Sequence, residues 1–261
     1  MKISFIKLVK QIVVVSFLSC LIVSCVPQKR IKYLQQSELS DTTSVFQNER
    51  GIAYLIQPGD NLYIKVMSMD EKTSNLFNVA SSIYQNYTSD ASIYLNSYTV
   101  NEQGYIEFPL AGSVSVKNMT VEHVKEKIQQ ILDEYLKETV LIVKLVNFNI
   151  TVLGEVKRPG QYKIYQSEIN IFEAISMAGD LTDFSKRNNV KIIRQTKNGS
   201  EIITVDLEQA SILSSDYYYM RPNDIVYVEP LKIKQFGFAA FPYATIFSGI
   251  STILLLINYF K

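Results

Sequence analysis

The chain has 261 residues, 26 Lys and Arg against 25 Asp and Glu, a formal net charge of +1, and one histidine. That length accommodates two modest domains plus terminal segments, and the near-neutral balance removes any electrostatic case for nucleic acid as a partner. The only cysteines, Cys20 and Cys25, lie in the first 25 residues, so they supply neither a disulfide framework nor a zinc site, and no metal or cofactor is expected.

Residues 1–24 read as a secretory signal peptide. Lys2, Lys7 and Lys10 form a positive start, and an apolar run extends from Ile12 to Val23. Its end, Leu21-Ile22-Val23-Ser24-Cys25, resembles a bacterial lipobox, with the Cys25 thiol as acceptor of the lipid. Cys20 fits less well, because bulky Phe17 and Leu18 precede it. Each buried lipid methylene contributes about 0.8 kcal/mol, so a multiply acylated cysteine anchors stably. An ordinary transmembrane anchor is the competing reading. No acid follows Cys25 within Val26-Pro27-Gln28-Lys29-Arg30, and the expected address is the outer membrane with the body in the periplasm. Residues 25–50, polar and Ser/Thr/Asn/Gln-rich, read as a lipid-anchored tether.

Order is expected from Tyr54. Pro58-Gly59 has the composition of a type II turn, with Asp60 after it, and Leu62, Ile64 and Val66 alternate with Tyr63 and Lys65 as in a half-buried strand. Residues 68–97 form a polar insertion without Gly or Pro. From Tyr98 to Pro109 the pattern predicts a hairpin turning at Gln103-Gly104. Thr120 caps a predicted helix with apolar positions Val121, Val124, Ile128, Ile131, Leu132 and Tyr135. His123 falls in its first turn without candidate co-ligands. An aliphatic strand from Val140 to Phe148 ends the first unit.

The second unit repeats the arrangement of strand, Pro-Gly turn and strand, in Asn149 to Gly154-Glu155 and then Pro159-Gly160 to Tyr162. Asn170 and Glu173 predict a capping box for a helix over 171–178, with Gly179 as its stop. Asn198-Gly199 predicts a hairpin. Arg221-Pro222-Asn223-Asp224 forms a third turn before a strand at 225–228, with Asn223 tolerating the left-handed conformation that Gly59 takes in the first.

The tail holds 25 residues without a charge, 236–260, between Lys234 and Lys261, and predicts a transmembrane helix starting near Pro242. Thr245, Ser248 and Thr252 share one face, a candidate pore lining if copies associate; the alternative is an anchor whose hydroxyls bond its own backbone.

In sum, Pro58-Gly59-Asp60, Asn101 to Gly104 with Phe108-Pro109, Gly154-Glu155-Val156 with Pro159-Gly160, Glu173-Ala174-Ile175 with Ala178-Gly179, and Pro222-Asn223-Asp224 with Val228-Glu229-Pro230 stand in the order that resembles the Wza-type outer-membrane polysaccharide export proteins. The resemblance implies an α+β chain: a polysaccharide-export α/β domain over 51–148, a β-grasp-like SLBB domain over 149–232, and a C-terminal transmembrane helix over 236–260. It implies a ring-shaped homo-oligomer, an octamer by expectation, that exports capsular or exopolysaccharide. The expected partners are the polysaccharide, membrane lipid, and an inner-membrane polysaccharide co-polymerase with tyrosine-kinase activity. Only one SLBB-like unit is visible, and the tail is more uniformly apolar than a pore helix.

Catalysis finds little support. There is no Gly-rich phosphate loop and no nucleophile elbow. Asp60 and Asp224 suggest a glycosidase pair, but each follows a turn where Asp caps local backbone. The chain is therefore read as a transport part and not an enzyme, with a non-pore periplasmic glycan-binding lipoprotein on a single-pass anchor as the rival.

Overall fold

The structure, a computed structural model, describes residues 31–35, 45–48, 54–78, 90–196, 199–235 and 243–259. It is a mixed α+β chain with two hydrophobic cores in sequence.

The first core belongs to residues 54–148. Strand β1 (Asn61–Met67) runs between β2 (Tyr98–Thr99) and β5 (Val140–Leu145), antiparallel to both. Leu62, Ile64 and Val66 point into the core, as strand alternation requires. Helix α3 (Val121–Leu132) starts where the Thr120 side chain accepts from His123 N, and its i, i+4, i+8 stripe of Val124, Ile128 and Leu132 is fully buried. Each such side chain contributes about 1.5–3 kcal/mol by leaving water. Tyr135 lies beyond the helix end and is exposed.

Two expectations need correction here. The hairpin predicted over 98–109 turns where expected, with Asn101 Oδ1 accepting from the backbone N–H groups of Gln103 and Tyr105. Its flanks, however, join different sheets. Tyr98–Thr99 pairs with β1, while β3 (Tyr105–Phe108) pairs with β4 (Gly112–Ser115). The polar insertion at 68–97 is also not wholly uncommitted. It contains short helices α1 (Glu71–Asn75), capped by Asp70, and α2 (Asp90–Leu95), and it buries Phe77 against Phe108. Helices of this length are too short to show a 3.6-residue period.

The second core lies in residues 149–230. Its sheet has the order β7-β6-β10-β8-β9, from β6 (Asn149–Gly154), β7 (Gly160–Lys163), β8 (Ser185–Thr196), β9 (Gly199–Val205) and β10 (Ile225–Pro230). The β6–β10 pair is parallel and the others antiparallel. Helix α4 (Ile171–Met177) opens on the capping box of Asn170 and Glu173 and lays Ile171, Ala174 and Ile175 on the sheet. The Asn198 half of the predicted Asn-Gly turn lies outside the described residues.

After β10 come α5 (Lys232–Gln235) and α6 (Tyr243–Tyr259). The spanning helix expected over 236–260 is not supported. α6 has 17 residues, about 26 Å at 1.5 Å per residue against about 30 Å of hydrocarbon. Among the described residues, no helix is long and apolar enough to cross a membrane.

The tether expected over 25–50 is docked, not free, where it is described. Leu34 N and Gln35 N donate to Leu207 O and Glu208 O, Ala210 N donates back to Gln35 O, and Asn48 Nδ2 donates to Leu213 O.

Candidate functional site

The two Pro-x-Asp turns share one design. In each, the carboxylate reaches back three residues to a backbone N–H: Gln57 N to Asp60 Oδ2 at 2.9 Å, and Arg221 N to Asp224 Oδ2 at 2.7 Å. Pro58 and Pro222 precede the positive-φ positions, Gly59 at +90° and Asn223 at +66°. The turns differ in what else the acid holds. Asp60 also accepts from Tyr54 Oη at 2.8 Å. Asp224 pairs with Arg194 through Nε at 3.0 Å and Nη2 at 2.7 Å, with side chains 4% and 1% exposed. Burial raises the Asp60 carboxyl above its usual range, against hydrogen bonds from Gln57, Tyr54 and Asn147. Both carboxylates are engaged by the backbone of their own turns.

The turns meet at the domain junction, through residues that the sequence reading passed over. Asn147 Oδ1 accepts from Asn61 N at 3.0 Å, and its Nδ2 donates to Gly59 O at 3.3 Å. Two residues on, Asn149 O accepts from Asn223 N at 2.8 Å. One turn from each domain is thus pinned to the same short stretch, Asn147 to Asn149. Arg221 is near enough for its charge to oppose the rise of the Tyr54 hydroxyl, which burial and then Asp60 drive upward. Two asparagines spaced around Phe148 were the only sequence signal.

Gly154 takes φ +90°, and a Cβ there would lie 2.0 Å from Val228 O, where the parallel β6–β10 pair ends. Gly104, at φ +88°, is similarly closed by Lys117. Pro159 leads into Gly160, which opens β7 opposite Val152, and Gly179 at φ +75° ends α4.

Glu155, the next residue, is buried and gathers the end of the domain. It accepts from Thr182 Oγ1, and Lys234 Nζ of α5 lies 2.6 Å from Oε2. Burial works to raise this carboxyl, but the hydrogen bonds from Lys234 and Thr182 and the Lys234 charge outweigh it and hold it below its usual range. The same end receives the N-terminal strap. Tyr33 Oη donates to Asp180 Oδ1 at 2.6 Å, and its ring lies 5.2 Å from the buried Arg187 guanidinium and edge-on to Phe172. Asp180 O accepts from Lys157 N, Glu155 O from Thr182 N, and Phe184 O from Leu231 N, so strap and α5 leave from one cluster of loops.

α6 is solvent-exposed on almost all sides. On its polar face, Ser248 Oγ donates to Thr245 O at 2.9 Å and Thr252 Oγ1 to Ser248 O at 2.8 Å, and Ser251, unnoticed in the sequence reading, bonds Phe247 O. The Ser248 and Thr252 hydroxyls are engaged by their own helix. Cys25 lies outside the described residues. No group of three or more potential metal-ligating side chains occurs among the described residues, and His123 stays at its helix start.

Between the domains lies a cleft of about 1480 Å³. Its floor includes Tyr63, Lys65 and Lys144 from β1 and β5, one wall includes Tyr94 of α2, and the other Lys163, the last residue of β7, with Tyr165 just beyond it.

Comparison with known proteins agrees with this two-part organisation. Residues 48–146 match the polysaccharide biosynthesis/export protein family, and residues 149–228 match the SLBB domain. The chain is 30% identical over 143 residues to the EPS I polysaccharide export outer membrane protein EpsA of Ralstonia solanacearum, covering 51% of this chain and 36% of that protein. It is 27% identical over 188 residues to the EpsA of Ralstonia nicotianae, covering 67% of this chain and 47% of that one. The chain therefore spans less than half the length of these relatives. With both matches in sequence and falling on the two hydrophobic cores, the chain carries a polysaccharide biosynthesis/export domain followed by an SLBB domain.

Proposed function

We propose that the chain is a subunit of an oligomeric outer-membrane channel that exports capsular or exopolysaccharide from the periplasm, anchored through lipid on Cys25. One observation carries this reading beyond the family. The strap that follows the lipid-acceptor cysteine and the connector that precedes the apolar helix leave the same end of the SLBB domain, through Tyr33–Asp180 and Lys234–Glu155. From Cys25 to Tyr33 the chain reaches at most about 28 Å. An anchor at Cys25 therefore holds the SLBB loop end against the bilayer and leaves the export domain reaching into the periplasm, toward the inner-membrane co-polymerase. Copies of α6 then meet near the membrane, with the Thr245, Ser248 and Thr252 face turned to a shared lumen. The relatives' names, which describe outer-membrane export, support the same address.

The rival is a non-pore glycan-binding lipoprotein, favoured by the inward-bonded hydroxyls and short span of α6. Mass measurement of the detergent-extracted full chain and conductance of the reconstituted protein separate the two. A ring that conducts supports the channel, and a silent monomer supports the rival. Cys25→Ala should abolish fatty-acid labelling while Cys20→Ala leaves it intact; labelling that survives Cys25→Ala removes the anchor from this account.

A further inference from the structure

We infer that the interdomain cleft is a binding site for an acidic segment of the exported glycan. The inference rests on the export reading only in taking the ligand to be a polysaccharide.

The first argument is size. Pockets for small molecules occupy about 300–1,000 Å³ and favour domain interfaces. At about 1480 Å³ the cleft exceeds that range and suits several linked sugar rings better than one small ligand. Its floor is also held in shape, because Asn147 and Asn149 pin the domain junction that borders it.

The second argument is charge. Lys65, Lys144 and Lys163 line the cleft, and among the described residues Glu71 is the only acid in its lining. Lys144 stands opposite Tyr63 in the β1–β5 register, so Lys65, two residues on, is its diagonal neighbour on the outward face. Diagonal pairs lie about 7–8 Å apart, and like charges at such spacing repel. Among the described residues, neither Lys65 nor Lys144 has an acidic partner. A carboxylate-bearing chain across the floor supplies the missing counter-charge.

The third argument is the aromatic lining. Tyr94 and Tyr165 are 58% and 84% exposed at the cleft, and Tyr63 is half-buried between the lysines. A tyrosine ring offers a flat apolar face to the C–H side of a sugar and a hydroxyl to its polar edge. Simple packing explains a buried tyrosine; it does not account for Tyr165, which stands 84% exposed at the cleft.

The test is binding of tetragalacturonic acid to the detergent-extracted full chain by calorimetry, with maltotetraose and a glutamate tetrapeptide as neutral and non-sugar controls. The acidic oligosaccharide should bind more tightly than either control. K65E/K144E, both at exposed positions, should weaken it about tenfold or more, and Y165A should weaken it with the charge unchanged. Circular dichroism checks that each variant keeps its fold. Equal affinity of wild type and both variants overturns the proposal, as does equal binding of the glutamate peptide. A Lys65→Cys variant that reacts with maleimide in the monomer but is shielded in the ligand-free oligomer also overturns it, because a second copy then fills the cleft. A chain that conducts as a ring but binds no tetragalacturonic acid defeats the cleft and leaves the channel standing. A silent monomer that binds it does the reverse.

Discussion

Asp60 and Asp224 sit at equivalent places in two similar turns, yet their replacement by asparagine should have very different consequences. At position 60 the carboxylate is already penalised by burial, and an asparagine keeps one oxygen for Gln57 N or Tyr54 Oη. One hydrogen bond of about 1 kcal/mol is at stake. At position 224 the acid is the sole anionic partner that Arg194 has among the described residues, in a pair whose side chains are 4% and 1% exposed. Removing its charge strands a buried guanidinium, a loss of about 3–5 kcal/mol. Asp224→Asn should therefore lower the midpoint of thermal unfolding by about 10 °C or more, while Asp60→Asn moves it by a few degrees. The assay is circular dichroism of the full chain in detergent, with tyrosine fluorescence as a second probe, since there are 17 Tyr and no Trp. Arg194→Leu combined with Asp224→Asn should recover part of the loss, because no bare charge is left inside. Equal shifts for the two single variants, or a cost below about 1 kcal/mol for Asp224→Asn, would refute the reasoning.

Three further outcomes follow from the same geometry. Gly154→Ala should cost about 2 kcal/mol or more in the same unfolding assay, since both the positive φ and Val228 O oppose a Cβ, whereas Gly59→Ala, with open space around it, should cost about 1 kcal/mol of backbone strain alone. Asn147→Ala leaves the buried Asn61 N–H without its acceptor; it should cost about 1–3 kcal/mol and speed proteolysis between residues 145 and 150. For pH, hydrogen bonds from Lys191 and then Lys186 lower the Glu229 carboxyl from 4.5 to about 2. A depressed carboxyl stabilises the fold above its unfolded value and loses that contribution as pH falls through the folded one. Acid titration of Glu229→Gln should accordingly show a shallower loss of stability between about pH 4.5 and 2 than the parent; an unchanged profile contradicts the pairing.

From the residues in order it was possible to read the two-domain sequence, the β1 alternation, the capped starts of α3 and α4, and the two Pro-x-Asp turns, whereas Pro159-Gly160, expected as a turn, leads straight into β7. These are local properties: Thr120, Asn170 and Asp60 each act on a backbone N–H three residues away, so chain neighbours suffice to write them. The tertiary structure alone decided whatever depends on partners distant in sequence. Tyr98–Thr99 leaves its own hairpin for β1 because long-range strand pairing overrides the local turn. The tether docks because Leu207 and Glu208, more than 170 residues away, present acceptors to it. Asp60 and Asp224 look alike until folding brings Arg194 from β8 to one of them and Tyr54 to the other. The cleft is invisible in the sequence for the same reason: Lys65, Lys144 and Tyr165 carry no local pattern, and only the packing of one domain against the next brings them to one cleft.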